Sequence, residues 1–148
     1  MTAVAVVGDT GALLAAYAGE EPDHDACLKA LRTVGHLVIS PLVLAELDYL
    51  ARQSLGATMA MRILDDIIDR CAIGRFEVPE VGAHLATARA VMRQYPDLNI
   101  GLTDAINVAL AAEFRTDAVL TVDRRHFRAI RPLTNHGAFR LLPDDLDG

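Results

Sequence analysis

Short apolar runs alternate with longer helical segments along this chain, and that alternation restricts the fold more than any other feature. Ala3-Val4-Ala5-Val6-Val7, Leu37-Val38-Ile39, Phe76-Glu77-Val78 and Ala118 to Val122 each read as a strand, and Phe139-Arg140-Leu141-Leu142 reads as a fifth at an edge. The runs are mostly continuous rather than alternating polar with apolar. Strands of that kind are covered on both faces, which is the habit of a parallel sheet between helices. Helices are expected over Ala12 to Ala18, Pro22 to Val34, Pro41 to Ser54, Ala57 to Ile73, Pro79 to Tyr95 and Thr103 to Phe114. Ser40-Pro41 supplies an N-cap and a first-turn proline, Thr103 reads as another N-cap, and Gly35, Gly56, Gly74 and Pro96 supply stops. With 148 residues the chain fits one domain. That domain is expected over residues 1–142, with a short disordered tail over 143–148.

The chain is 52% hydrophobic but 5% aromatic, with no Trp, so its core must be aliphatic. Mean hydropathy is +0.26. Yet no apolar run approaches the roughly 20 residues of a membrane span, and the N-terminal run lacks the basic flank of a leader. A cytoplasmic chain is expected, with no membrane partner. Its apolar surplus is expected to lie in a doubly covered sheet or against a partner. Cys27 and Cys71 form no CxxC pair and read as buried thiols. The net charge of −6 argues against a generic nucleic-acid coat. A metal nuclease can still carry that sign, because cations stand between its carboxylates and the phosphate. The thirteen arginines are joined by a single lysine, Lys29. No P-loop exists, and Lys29 lies too early to serve a receiver-type switch domain. No GxSxG occurs, and Asp9-Thr10-Gly11 does not supply a phosphatase DxD.

The acids carry the functional signal. In an open parallel sheet ligands bind at the carboxyl ends of the strands. Asp9 follows the first strand there, and Asp123 follows the fourth. Each could equally cap the next helix or close a turn. Glu46 shares a helical stripe with Val43, Leu47 and Leu50, which predicts a carboxylate on a buried face, paired with an Arg or a metal, or else one at the stripe's edge that reaches out to solvent. Asp104 opens a helix that is apolar nearly all round, and Asn107 lies one turn on, on the same face. Hard oxygen donors gathered in this way suit magnesium or manganese, which can activate water and neutralise a scissile phosphate. The five histidines are scattered and suggest no His-based metal site. Asp65, Asp66 and Asp69, on a helix with Arg62 and Arg70, read as a solvated face.

These residues also resemble a known family. Gly8-Asp9-Thr10-Gly11-Ala12-Leu13-Leu14 looks like the opening motif of PIN domains. Ser40 to Leu47 looks like their Glu-bearing second motif, Gly101-Leu102-Thr103-Asp104-Ala105 like the third, and Leu120 to Phe127 like the fourth. The resemblance covers nearly the whole chain, in order. It departs at Gly11, where a Ser is often seen, and at Thr103, where an apolar residue is common. It implies a three-layer α/β/α sandwich on a mainly parallel sheet of four to five strands. It further implies a ribonuclease similar to VapC-type toxins, in which Asp9, Glu46, Asp104 and Asp123 hold Mg2+ or Mn2+ and catalyse RNA cleavage. Thr10, Asn107 and Thr121 are then expected in support. A small antitoxin and a homodimer are the implied partners. The alternative is a non-catalytic PIN-like module that only binds RNA or protein. Arg124 and Arg125 open the most basic segment, just after Asp123. They are expected either to hold RNA phosphates or to pair with the acidic tail of Asp144, Asp145 and Asp147.

Overall fold

The computed structural model describes residues 4–146. Its five strands are β1 (Ala5–Gly8), β2 (His36–Ile39), β3 (Phe76–Glu77), β4 (Ala118–Leu120) and β5 (Arg140–Leu142). They form one sheet in the order β3-β2-β1-β4-β5, with every pairing parallel. The expected start of the first strand at Ala3 lies outside the described residues. From β1 the chain winds outward through β2 to β3, then returns to place β4 and β5 on the other side. The winding therefore reverses between β1 and β4, which is where an open sheet leaves a crevice for ligands.

Side chains alternate across the sheet, so adjacent strand residues feed two separate cores. Val6, Leu37, Ile39, Leu120 and Leu142 pack on one face against α1 (Thr10–Tyr17), α2 (His24–Thr33), α3 (Pro41–Leu55) and α4 (Ala57–Ala72). Val7, Val38, Val119 and Leu141 pack on the other against α5 (Leu85–Gln94), α6 (Leu102–Glu113) and α7 (Arg124–Ala129). The result is the expected three-layer α/β/α sandwich. Ser40 caps α3 by accepting from the Leu42 amide, with Pro41 in the first turn, as its sequence predicts. Gly56 links α3 to α4 at φ 90, a conformation that favours glycine.

Four expectations are corrected. Pro79 to Tyr95 is not one helix: a 3-10 turn at Gly82–His84 precedes α5. Gly82 is a poor helix former where the first turn would have to close, and no side chain caps it. The N-cap of α6 is Gly101 rather than Thr103, which lies inside the first turn and faces a cleft. α7 was not anticipated, because Phe127 is its one buried residue and gives no apolar period. Residues 143–146 of the tail are ordered, and residues 147 and 148 lie outside the described residues. Asp145 forms a bidentate pair with Arg128 at 2.7 Å and accepts from the Leu141 amide at 2.8 Å. Those contacts hold the Asp145 carboxyl down at about 2. Asp144 pairs with Arg124, and Leu146 packs on the first core.

Removing residues 143–148 should therefore lower the unfolding free energy by about 1–2 kcal/mol, the scale of exposed ion pairs plus one charge-assisted hydrogen bond. Urea denaturation should show a lower midpoint at constant m. An unchanged midpoint would make the tail dispensable.

Candidate active site

The reversal point between β1 and β4 holds a cleft of about 370 Å3. Asp9, Glu46, Asp104 and Asp123 all line it, with Thr10 and Thr103 beside them. The sheet places two of the acids directly. Gly8 pairs with Leu120, so the chains leaving β1 and β4 emerge side by side, carrying Asp9 and Asp123. Both acids also cap helices, as the local sequence allowed. Asp9 accepts from the Thr10 amide to start α1, and Asp123 from the His126 amide to start α7. Capping and clustering are thus one arrangement rather than alternatives.

Asp9 is the most constrained of the four. Only 6% of its surface is exposed. Its Oδ2 accepts from Thr121 Oγ1 at 2.8 Å, and its Oδ1 from the Thr10 amide at 2.9 Å. The Asn107 amide nitrogen lies 3.5 Å from Oδ1. Burial and the nearby Asp104 charge push the Asp9 carboxyl up to about 6, against the pull of the Thr121 and Thr10 hydrogen bonds. Burial likewise raises Asp104, with the charges of Asp123 and Glu46 adding to it and the His126 hydrogen bond opposing. Thr121 serves twice, donating to Asp9 and accepting from the Asp123 amide at 2.9 Å. Thr10 acts through its backbone alone, since its buried hydroxyl has no hydrogen-bond partner.

Glu46 takes the edge position rather than the buried one. It lines the cleft but is exposed, because the buried stripe of α3 runs through Val43, Leu47 and Ala51. A residue three or four places from apolar neighbours can still lie at the edge of their face. Gly11, where a Ser is often seen, also has a local reason. A Cβ there would stand 2.9 Å from Val122 Cγ2.

His126 escaped the sequence reading. Its Nδ1 lies 3.1 Å from Asp104 Oδ2 and 2.9 Å from Asp123 Oδ2. Its Nε2 lies 3.0 Å from the Leu98 oxygen. Burial works against charge on this ring, but the Asp104 hydrogen bond and the Asp123 and Asp104 charges outweigh it, so the imidazole titrates above its ordinary range. The spacing Asp123–His126 carried the signal: an N-cap acid faces the third residue of its helix. It was invisible while α7 went unrecognised.

The donor set fits a hard divalent ion. Asp104, Asp123 and His126 offer donor atoms within 4.8 Å of one another, Asp9 and Glu46 line the same cleft, and the buried Asn107 Oδ1 beside Asp9 is left without a protein partner. Of the basic segment, Arg124 is engaged by Asp144 and lies 3.8 Å from Asp23. Arg125 is exposed and forms no ion pair among the described residues.

Comparison with known proteins identifies the family. The family model described as PIN domain matches residues 6–132. The chain belongs to the PIN-domain family. It is 40% identical over 137 residues to Ribonuclease VapC26 of Mycobacterium tuberculosis, covering 91% of this chain and 98% of that one. Among solved structures, it resembles Mycobacterium tuberculosis VapC20, described as a Sarcin-Ricin loop cleaving toxin. That match has TM-score 0.71 and 16% identity, over 81% of this chain and 91% of that one. It also resembles Rickettsia felis VapBC2, bound to a fragment of its promoter DNA. Here the TM-score is 0.65 and the identity 20%, over 88% and 96%. At such identities these two likenesses speak for the fold.

The buried acid predicts a pH dependence for the metal-free protein. Asp9 holds its proton to about 6 when folded, against 3.8 as the ordinary value. Between those values the native state binds the extra proton, so stability falls as pH rises from about 4 to about 6. In chelator, the wild type should lose about 3 kcal/mol relative to Asp9→Asn across that window. Unfolding curves for the two proteins that stay parallel with pH would contradict a strained carboxylate.

Proposed function

We propose that this protein is a divalent-metal-dependent endoribonuclease and the toxin of a toxin–antitoxin pair, acting in the cytoplasm. The observation that carries the proposal is the convergence of Asp9, Glu46, Asp104 and Asp123 on one cleft at the sheet's reversal point. The 40% identity to a protein named as a ribonuclease supports it. In this reading the four acids are the catalytic and metal-binding residues of a single nuclease domain spanning residues 1–142, and the ion is Mg2+ or Mn2+. A bound divalent ion would supply charge neutralisation at the scissile phosphate and a more acidic water. The chain's own residues do the rest. Thr121 and the Thr10 amide fix Asp9, and Thr121 also ties down the backbone at Asp123. Glu46, exposed on α3, is left to face the substrate side. Asn107 supports Asp9 from α6.

RNA needs positive charge near the cleft. Arg125 is the residue we assign first, being exposed and unpaired among the described residues. Arg124 would have to exchange Asp144 for a phosphate, and Asp144 is thereby a competitor for the RNA. For partners, we propose a small antitoxin and a homodimer. An apolar cleft of about 310 Å3 between α3 and α4 supports this, lined by Leu44, Leu47, Ala51, Ile63 and Ile67. Tyr49, Met61 and Ile68 are exposed on the same hairpin. Among the described residues no helix is long and apolar enough to cross a membrane.

The deciding experiment is cleavage of RNA by the purified chain. Activity should require Mg2+ or Mn2+ and disappear in Asp9→Asn and Asp104→Asn. Asp104→Asn should leave the metal-free fold at least as stable, because it removes a repelling charge from Asp9. Either ion should raise the wild-type melting temperature, with about 2.7 kcal/mol gained at 100 times Kd. A well-folded wild type that cuts no RNA with either ion would favour a binding module instead.

A further inference from the structure

His126, in contact with Asp104 and Asp123, is the side chain that a purely carboxylate site leaves unexplained. Its Nε2 faces the Leu98 backbone oxygen at 3.0 Å. A carbonyl oxygen only accepts, so Nε2 must carry a proton. A neutral imidazole has one N–H, and this contact uses it. Nδ1 is then a lone pair, 2.9 Å from Asp123 Oδ2 and 3.1 Å from Asp104 Oδ2. Three acceptors at such distances need a positive centre among them. In the metal-free chain a second ring proton can serve. The same spacing also suits an ion, because neighbouring ligands of an octahedral ion with bonds of about 2.1 Å stand about 3 Å apart. The outer side of the ring matches too. Metal-binding histidines commonly donate their other ring N–H to a backbone carbonyl, which fixes tautomer and orientation. Nearby, the fully buried Asn107 Oδ1 remains without a protein partner beside Asp9.

We propose that His126 Nδ1 is a direct ligand of the divalent ion held by Asp104 and Asp123, and that it biases the site toward manganese over magnesium. The proposal rests on the metal-nuclease reading above. An imidazole nitrogen adds affinity for first-row transition ions, whereas magnesium is served by oxygen donors. Leu98 ends the short 3-10 turn Pro96–Leu98 between α5 and α6, so the histidine also ties that connection to α7.

The test uses the full chain at one fixed pH, with Mn2+ and Mg2+ titrated separately by calorimetry into wild type, His126→Ala and His126→Asn. Thermal unfolding in chelator checks that each variant folds. Loss of the ring should weaken Mn2+ by about tenfold or more, the scale seen when a metal site loses supporting groups. Mg2+ should change far less, so the Mn2+ preference collapses. Spin-echo spectra of Mn2+ bound to the wild type should show modulation from a coordinated imidazole nitrogen, a readout that needs no variant. Absence of that modulation, with both ions weakened equally in the variants, would make His126 a latch and overturn the proposal. Failure of the wild type to bind either ion would sink the metal reading itself. Retained binding lost in Asp9→Asn but indifferent to His126 would sink only the ligand assignment.

Discussion

The structure turns on a carboxylate that water does not solvate. Asp9 is buried where β1 ends, and its charge is opposed by burial and by Asp104. Such a group persists only if the surroundings hold it. They do so from several elements: α1 through the Thr10 amide, the segment after β4 through Thr121, and α6 through Asn107. The backbone joins in, with the Asp9 amide donating to the Leu120 oxygen at 2.9 Å. The pairing of β1 with β4 is therefore both a piece of the sheet and the frame of the cleft. Moving either strand by one residue would turn Val7 and Val119 out of their core and separate Asp9 from Thr121.

What could be read in the sequence follows how local each signal is. Three apolar runs were legible as β1, β2 and β4 because double burial leaves no alternation to confuse them, whereas β3 and β5 are the edge strands. Asp9 and Asp123 were readable because strand ends are local features. Asp104 was readable because Ala105 to Ala111 are buried all round, so the helix had to be internal. Other misreadings came from contacts distant in sequence. Glu46 shares its helix's apolar spacing, but whether that edge is covered depends on what packs there. The order of the tail depends on Arg128, seventeen residues before Asp145. His126 depends on Asp104, twenty-two residues away, and on Leu98, twenty-eight away. No single-sequence pattern carries those distances.

Internal pairing also resolves the charge problem of an acidic nucleic-acid enzyme. Arg52 pairs with Asp48, Arg70 with Asp66, Arg124 with Asp144 and Arg128 with Asp145. Exposed pairs of this kind add little stability each. Their larger effect is to withdraw arginines from the surface field, so net charge is a poor guide to where a polyanion can lie. In the proposed reading the cations left over, the exposed Arg125 among them, would set the path of the RNA. The ion that the acids would hold adds positive charge at the same place.

The helix α3 connects the acid cleft with the apolar groove. Glu46 and Leu50 line the first, whereas Leu44, Ala45, Leu47 and Asp48 line the second. One turn of helix thus carries both surfaces. α3 is anchored by Val43, Leu47 and Ala51, each nearly or fully buried, so it has little freedom to rotate and separate the two. A chain lying in the groove would run past Ala45 and reach the rim where Glu46 stands. A basic side chain at the end of such a segment could then meet the acids without any change of fold, because the attraction of several carboxylates for a cation is already built into the cleft. In the proposed reading, the repulsion that would favour a metal would equally favour an inhibiting arginine or lysine, and occupancy by one would exclude the other by charge alone.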